Sequence, residues 1–247
     1  MKPLIVANWK CNPALEEEAK NLFEDQIKEL KGIENAEAVI CPPFVYFSMV
    51  KDSPLAIGAQ DCFWEQKGAY TGEISPAMLK DFGCKYVIIG HSERRTYLNE
   101  SDEIINKKIK AAIAAKLNPI LCVGETKEQR DKGQAKALLE KQITFALQGI
   151  SEFDFGKIII AYEPVWAIGT GNPCGVKEAQ RMGVVIREIL SKIYGAAISG
   201  NTQILYGGSV KGNNASGYIK EAGLQGLLVG GASLDAKEFA KIVKNAV

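Results

Sequence analysis

Histidine is almost missing from this chain, for His91 is the only one in 247 residues. No two of the six cysteines (Cys11, Cys41, Cys62, Cys84, Cys122 and Cys174) form a C-x-x-C pair. These shortages argue against a zinc site, which needs clustered Cys and His ligands, and no metal is expected. Scattered cysteines in a chain of this length point to free thiols in a reducing compartment, so a cytoplasmic location is expected. No apolar run reaches the roughly 20 residues of a spanning helix, and no membrane partner is expected. The start, Met1-Lys2-Pro3-Leu4-Ile5-Val6, runs straight into a strand and does not resemble a signal peptide. An excess of one charge is also lacking, because acids and bases are interspersed and the net charge is +1. That argues against a broad nucleic-acid footprint but leaves room for a small anionic ligand, which needs only local donors. No linker, composition shift or sequence repeat divides the chain. One domain over residues 1–247 is expected, close to the roughly 250 residues of an eightfold β/α barrel.

What is present is a rhythm of short apolar runs. They are Leu4 to Ala7, Ala38 to Cys41, Ala56 to Ala59, Tyr86 to Ile89, Pro119 to Val123, Lys157 to Ala161, Gln203 to Tyr206 and Gly226 to Val229. None alternates polar with apolar residues, which is the pattern of strands buried on both faces in a parallel sheet. Helical patterns fall between them. Asn12-Pro13 reads as a cap and first helical residue, followed by a face of Leu15, Ala19, Leu22, Phe23, Ile27 and Leu30. Ser75-Pro76 opens a second helix, closed by Gly83. Ser101 caps a third, whose face is Ile105, Ile109, Ala112 and Ile113 and whose lysines lie later, as the helix dipole favours. A fourth carries the stripe Met182, Ile186, Ile189, Leu190 and Ile193 and stops at Gly195. Eight strand–helix units, with no glycine fingerprint after the first strand, favour an α/β fold closed as a (β/α)8 barrel over an open doubly wound sheet. In such a barrel the C-terminal strand ends carry the site.

Those ends hold suitable chemistry. Asn8-Trp9-Lys10 follows the first strand and offers an ammonium. His91 follows the fourth, before a segment that could begin a helix, whose positive end would lower the imidazole pKa and keep it neutral. Glu163 follows the sixth and is held extended by Pro164, and apolar residues with Gly169 and Gly171 come after it, as in a rigid base with a movable lid. Gly207-Gly208 and Gly230-Gly231 follow the last two strands, where backbone N–H groups at helix starts can cradle a phosphate. A carboxylate, a neutral imidazole, a lysine and an anion cradle suit proton abstraction beside a carbonyl of a small phosphorylated sugar.

With these residues assembled, the chain resembles the triosephosphate isomerases over nearly its whole length. The most specific pieces are Gly90-His91-Ser92-Glu93-Arg94, Ala161-Tyr162-Glu163-Pro164-Val165-Trp166-Ala167-Ile168-Gly169-Thr170-Gly171, and Tyr206-Gly207-Gly208-Ser209-Val210. The resemblance implies a TIM barrel and cofactor-free interconversion of D-glyceraldehyde 3-phosphate and dihydroxyacetone phosphate in glycolysis and gluconeogenesis. It implies Glu163 as general base, His91 as electrophile and Lys10 as charge stabiliser, with Asn8 shaping the pocket. It implies Gly169, Ser209, Gly230 and Gly231 as phosphate donors, Glu93 as a supporting carboxylate, and Tyr206 with Ser209 as holders of a closed lid. It further implies a homodimer in which the loop Gln60 to Gly72 docks on the partner, Thr71 reaching the pocket near Asn8 and Lys10. Phe63, Trp64 and Tyr70 would supply the apolar area. Cys11 would then lie near that interface, either as a thiol made reactive by the neighbouring Lys10 or, the favoured reading, as a buried inert one. The chain departs from the family pattern after the lid, at Asn172-Pro173-Cys174 and Gly175, which predicts altered lid kinetics. Two rivals remain: another phosphosugar barrel, disfavoured as an aldolase by the lack of a lysine in the mid-barrel strands, and a catalytically silent phosphosugar-binding barrel.

Overall fold

The computed structural model describes residues 2–169 and 173–247. Eight strands, β1 (Leu4–Asn8), β2 (Glu37–Cys41), β3 (Ala56–Ala59), β4 (Tyr86–Ile89), β5 (Asn118–Val123), β6 (Ile159–Tyr162), β7 (Ile204–Tyr206) and β8 (Gly226–Val229), form one closed barrel. Every pairing is parallel. The first strand closes on the last, with Leu4 opposite Gly226 and Ala7 opposite Val229. The apolar runs fall within a residue or two of these strands. The closed sheet explains why they lack alternation. Inward residues such as Leu4, Val6, Val39, Ile88, Ile120, Ala161, Leu205 and Leu228 pack on one another inside the barrel. Their outward neighbours Ile5, Ala7, Ile40, Val87, Leu121, Ile160 and Val229 pack under the helices. Both faces are dry, and each fully buried Val, Leu or Ile contributes about 1.5–3 kcal/mol.

The helices follow the expected faces with three differences. Asn12-Pro13 is not a cap: the first helix is Glu16–Leu30, preceded by Leu15 with no side-chain cap. The Asn12-Pro13 bond is cis, and the acidic run Glu16, Glu17, Glu18 occupies the first turn, where the helix dipole favours negative charge. Leu15 is therefore outside the helix and exposed, whereas Ala19, Phe23 and Leu30 are buried. Ser75 and Ser101 do cap their helices, each hydroxyl accepting the N–H three residues on. In the helix Asp102–Ala114 no base lies in the last turn, and Lys108 points inward. The helix Val176–Tyr194 buries Met182, Ile186, Ile189 and Leu190 but leaves Ile193 exposed before its stop at Gly195.

Candidate active site

The C-terminal strand ends surround a cleft of about 900 Å³. Asn8, Lys10, His91, Gly169, Ser209, Gly230 and Gly231 all line it, so residues from four strand ends and the segment after β6 meet in one place. Glu163 lies behind this wall and is 1% exposed.

Glu163 directly follows β6, where its N–H donates to the carbonyl of Val123 (2.8 Å). Its carboxylate is held by three donors on the β4 side. Ser92 N–H donates to Oε2 (2.9 Å), the Ser92 hydroxyl to Oε1 (3.4 Å), and His91 Nε2 lies 2.9 Å from Oε1. Burial alone would raise the Glu163 pKa, but His91, the Ser92 amide and Lys10 together hold it below the usual carboxylate value. The backbone of Glu163 leaves no room beneath it. A Cβ on Gly124 would stand 1.7 Å from the Glu163 carbonyl oxygen, so only glycine fits there.

His91 occupies the cap position of the short helix Ser92–Tyr97, and its Nδ1 accepts the N–H of Glu93 (3.3 Å). An acceptor nitrogen carries no proton, so in the neutral ring the proton sits on Nε2, the atom facing Glu163 and the cleft. The expected downward shift of its pKa is not what this arrangement produces. Burial, the largest influence, pushes it down, but the Glu163 carboxylate and its hydrogen bond, with Glu93, raise it above the ordinary imidazole value. The upward pull comes mainly from Glu163. Without Glu163 beside it, burial favours the neutral ring. Arg95 fixes the strand end that bears His91: its guanidinium donates to the carbonyls of Gly90 (2.8 Å) and Cys122 (3.1 Å) and pairs with Asp102 (2.6 Å).

Lys10 has a left-handed backbone, φ 55°, which costs a non-glycine residue on the order of 1 kcal/mol. Both sides of that turn are secured. Asn8 Oδ1 accepts the Lys10 N–H (3.0 Å), and Gln60 Nε2 donates to the Lys10 carbonyl (2.8 Å) and to that of Cys41 (2.9 Å). The ammonium forms a tight ion pair with Glu93, whose other oxygen lies 3.6 Å from His91 Nδ1. Glu93 thus links the two groups. Gly230 has no side chain to crowd the lysine; a Cβ there would meet Lys10 Cε at 3.0 Å.

The sequence model of the family described as Triosephosphate isomerase matches residues 3–246. A triosephosphate isomerase of Dictyoglomus turgidum is 47% identical, with 99% of both chains covered. That of Chloroflexus aurantiacus is 46% identical over 98% of both chains, and that of Caldanaerobacter subterraneus 47% identical over 98% of both. The chain belongs to the triosephosphate isomerase family.

In this triosephosphate isomerase family member the segment after Glu163 is tied down at both ends. A 3-10 turn, Val165–Ala167, begins it. There Trp166 Nε1 donates to Glu125 Oε1 (2.8 Å), which also accepts from the Tyr162 hydroxyl (3.0 Å), and the Arg130 guanidinium lies 3.8 Å from the indole centre. The Ser209 hydroxyl donates to the Ala167 carbonyl (2.6 Å). At the far end the Cys174 N–H donates to the Tyr206 hydroxyl (3.1 Å). Thr170, Gly171 and Asn172, which belong to the expected lid and hinge, lie outside the described residues. Gly175 caps the helix Val176–Tyr194 without a side-chain oxygen, as expected. The two glycine pairs differ from each other. Gly230-Gly231 opens a 3-10 turn, Gly231–Leu234, whose first amides have no partner within the turn. No helix directly follows Gly207-Gly208; a π segment, Gly217–Glu221, comes later. Among the described residues no group of three or more His, Cys, Asp or Glu is placed to hold a metal.

Ser92, Gln60, Gly124, Glu125 and Arg95 were not singled out from sequence. Ser92 carried the only usable signal, being adjacent to His91. The others act on residues contributed by different strands.

Proposed function

We propose that Glu163, His91 and Lys10 are the catalytic groups of an isomerase that interconverts D-glyceraldehyde 3-phosphate and dihydroxyacetone phosphate, in glycolysis and gluconeogenesis. The observation that carries this reading is the contact between Glu163 and His91 Nε2, 2.9 Å, at the edge of a cleft that also holds Lys10. The carbonyl of a triose in the cleft takes over the Nε2–H, and the Glu163 carboxylate is released toward the adjacent carbon. Glu163 removes the carbon-bound proton there. His91 and the Lys10 ammonium stabilise the oxygens as the enediolate forms; His91 Nε2 gives its proton to the former carbonyl oxygen and takes one from the neighbouring hydroxyl, and Glu163 returns its proton to the neighbouring carbon. Gly169, Ser209, Gly230 and Gly231 hold the phosphate, and Tyr206 anchors the segment that covers it. The silent binding barrel is disfavoured because the whole catalytic set is present and pre-ordered, down to the strained Lys10 backbone.

The test is isomerisation of glyceraldehyde 3-phosphate coupled to NADH oxidation by the ketose product. Rapid turnover without added cofactor or metal supports the reading. An inactive, folded protein that still binds inorganic phosphate would replace it with the binding-protein alternative.

The chain is expected to work as one barrel domain over residues 1–247, in the cytoplasm, and as a homodimer. No helix of the described residues is long and apolar enough to cross a membrane. Support for the dimer comes from a second hollow of about 280 Å³ beside Lys10, lined by Cys11, Gln60, Tyr97 and Leu98. Tyr97 and Leu98 are 77% and 60% exposed, and Val45 is 78% exposed. Thr71 stands exposed on the loop after β3. That loop differs from expectation in one respect: Phe63 is buried, its ring tilted against those of Trp64 (centroids 3.9 Å apart) and Tyr70 (4.7 Å), and Tyr70 is the exposed apolar residue of the three. Cys11 is exposed on the single chain. Sedimentation at micromolar concentration is expected to show twice the 26.8 kDa chain mass; an active monomer would refute the dimer.

A further inference from the structure

The helix Ala135–Ala146 buries a face of Ala135, Leu139, Gln142, Ile143 and Ala146, and Gln142 is the one polar member of that face. A buried amide costs stability unless it is hydrogen-bonded, so what it bonds to matters. Its partner is the backbone of Gly124. Gln142 Oε1 accepts the Gly124 N–H (2.9 Å), and Gln142 Nε2 donates to the Gly124 carbonyl (3.2 Å). Only this orientation of the amide sets a donor against an acceptor at both ends. One side chain thus takes both polar groups of one residue, as a neighbouring strand would.

Gly124 is the first residue past the end of β5. The residues on either side of it serve the stretch that carries the base. The Val123 carbonyl accepts the Glu163 N–H (2.8 Å), and the Glu125 carbonyl accepts the Val165 N–H (3.1 Å). Gly124 itself lies directly against Glu163. A Cβ on it would stand 1.7 Å from the Glu163 carbonyl oxygen and 2.6 Å from the carbonyl carbon, so the two main chains touch with nothing between them. On the opposite flank the Gly207 N–H donates to the Tyr162 carbonyl (2.7 Å), and a Cβ on Gly207 would meet Glu163 Cγ at 3.0 Å. Glu163 is therefore seated between two backbones. Gly207 is bonded directly to the strand that bears Glu163, whereas the peptide groups of Gly124 are held from outside the sheet, by Gln142.

We propose that Gln142 is a positioning residue for the isomerisation: it prolongs β5 by one residue and, through Gly124, fixes the level at which the Glu163 carboxylate meets the carbon it deprotonates. The inference rests on the isomerase reading. Gln142 does not line the cleft, so it acts through Gly124 and not on the substrate. The phosphate donors Ser209, Gly230 and Gly231 follow β7 and β8 and receive no bond from Gln142. Its loss therefore falls on proton transfer and spares binding. A shift of 1 Å in a reacting group is enough to cost on the order of 10²-fold in rate.

The experiment compares wild type with Gln142→Met, which keeps the length of the side chain and deletes both bonds, and with Gln142→Glu, which keeps the acceptor for the Gly124 N–H and lacks the donor to its carbonyl. The readouts are kcat and KM for glyceraldehyde 3-phosphate, the inhibition constant of inorganic phosphate, and the isotope effect on kcat with substrate deuterated at C2. In Gln142→Met, kcat is expected to fall about 10- to 100-fold. KM and the phosphate inhibition constant should stay within about twofold of wild type, the mark of an interaction expressed only in the transition state. The isotope effect should rise above that of wild type, because carbon–hydrogen cleavage has become the slower step; mere loss of stability moves neither that ratio nor the kcat of the folded fraction. Gln142→Glu is expected to fall between the two and carries the test alone if Gln142→Met does not fold. A folded variant with wild-type kcat would overturn the inference, as would a loss shared equally by KM and phosphate inhibition with no change in the isotope effect. Either of these, with a wild type that isomerises, leaves the isomerase reading standing; a wild type that does not isomerise overturns that reading and this inference with it.

Discussion

Glu163→Gln is expected to lower kcat by about 10²–10⁴-fold, the range that a positioned general base supplies. The substitution is conservative for structure. Its single amide oxygen can still accept the Ser92 N–H (2.9 Å), but the NH2 group then standing in place of Oε1 cannot accept the His91 Nε2–H. The lost property is the ability to take a proton from carbon. KM should therefore change little and kcat should carry the effect, because the interaction removed belongs to the transition state. The NADH-coupled assay with purified variant, alongside a thermal melt matching wild type, checks this. A variant as active as wild type would place the base elsewhere.

The second large effect is on stability. Lys108→Met is expected to cost about 3–5 kcal/mol, the usual consequence of removing one partner of a buried ion cluster. Lys108 is 3% exposed and pairs with both Asp61 (2.7 Å) and Glu100, while Arg94 adds a 2.8 Å contact to Asp61 and a 3.4 Å contact to Glu100. Without the ammonium, two buried carboxylates face each other with only Arg94 between them. Asp61 is already under strain: burial pushes its pKa up to about 6, even with Lys108 and Arg94 pulling it down. An acid whose folded pKa lies above its unfolded value weakens the fold at pH above the folded value, and the penalty disappears below the unfolded one. The deficit of Lys108→Met should thus be largest near pH 8 and shrink toward pH 5. Urea melts at both values measure it, and a pH-independent deficit would show that packing, not charge, accounts for the loss.

The same cluster shows where sequence reading stops. Lys108 sits on the helix Asp102–Ala114 among residues of helical spacing, and nothing local distinguishes it from the solvent-facing Lys107 or Lys110. Its partners are 47 residues earlier and 8 earlier in the chain. Strands were legible because burial on both faces leaves an apolar run that needs no knowledge of partners. Lys10, His91 and Glu163 were legible because each stands where such a run ends. Gly124 was not, since its reason is the carbonyl of Glu163 lying where a Cβ would go. The Asn12-Pro13 cap failed differently: the residue types were right for a helix start, but the acidic run beginning at Glu16 marks the true one.

The pairing of Leu4–Asn8 with Gly226–Val229 has a consequence for biosynthesis. During translation the first strand, which also carries Asn8 toward Lys10, must wait for almost the entire chain before its second neighbour exists. Until then the nascent sheet has two open parallel edges, one formed by β1 and the other by whichever strand emerged last. Such edges invite pairing with other chains. Completion of the sheet and completion of the Lys10 end of the cleft therefore fall together, when residues 226–230 emerge, so a chain terminated before residue 226 is left both unclosed and without the Gly230 wall beside its lysine.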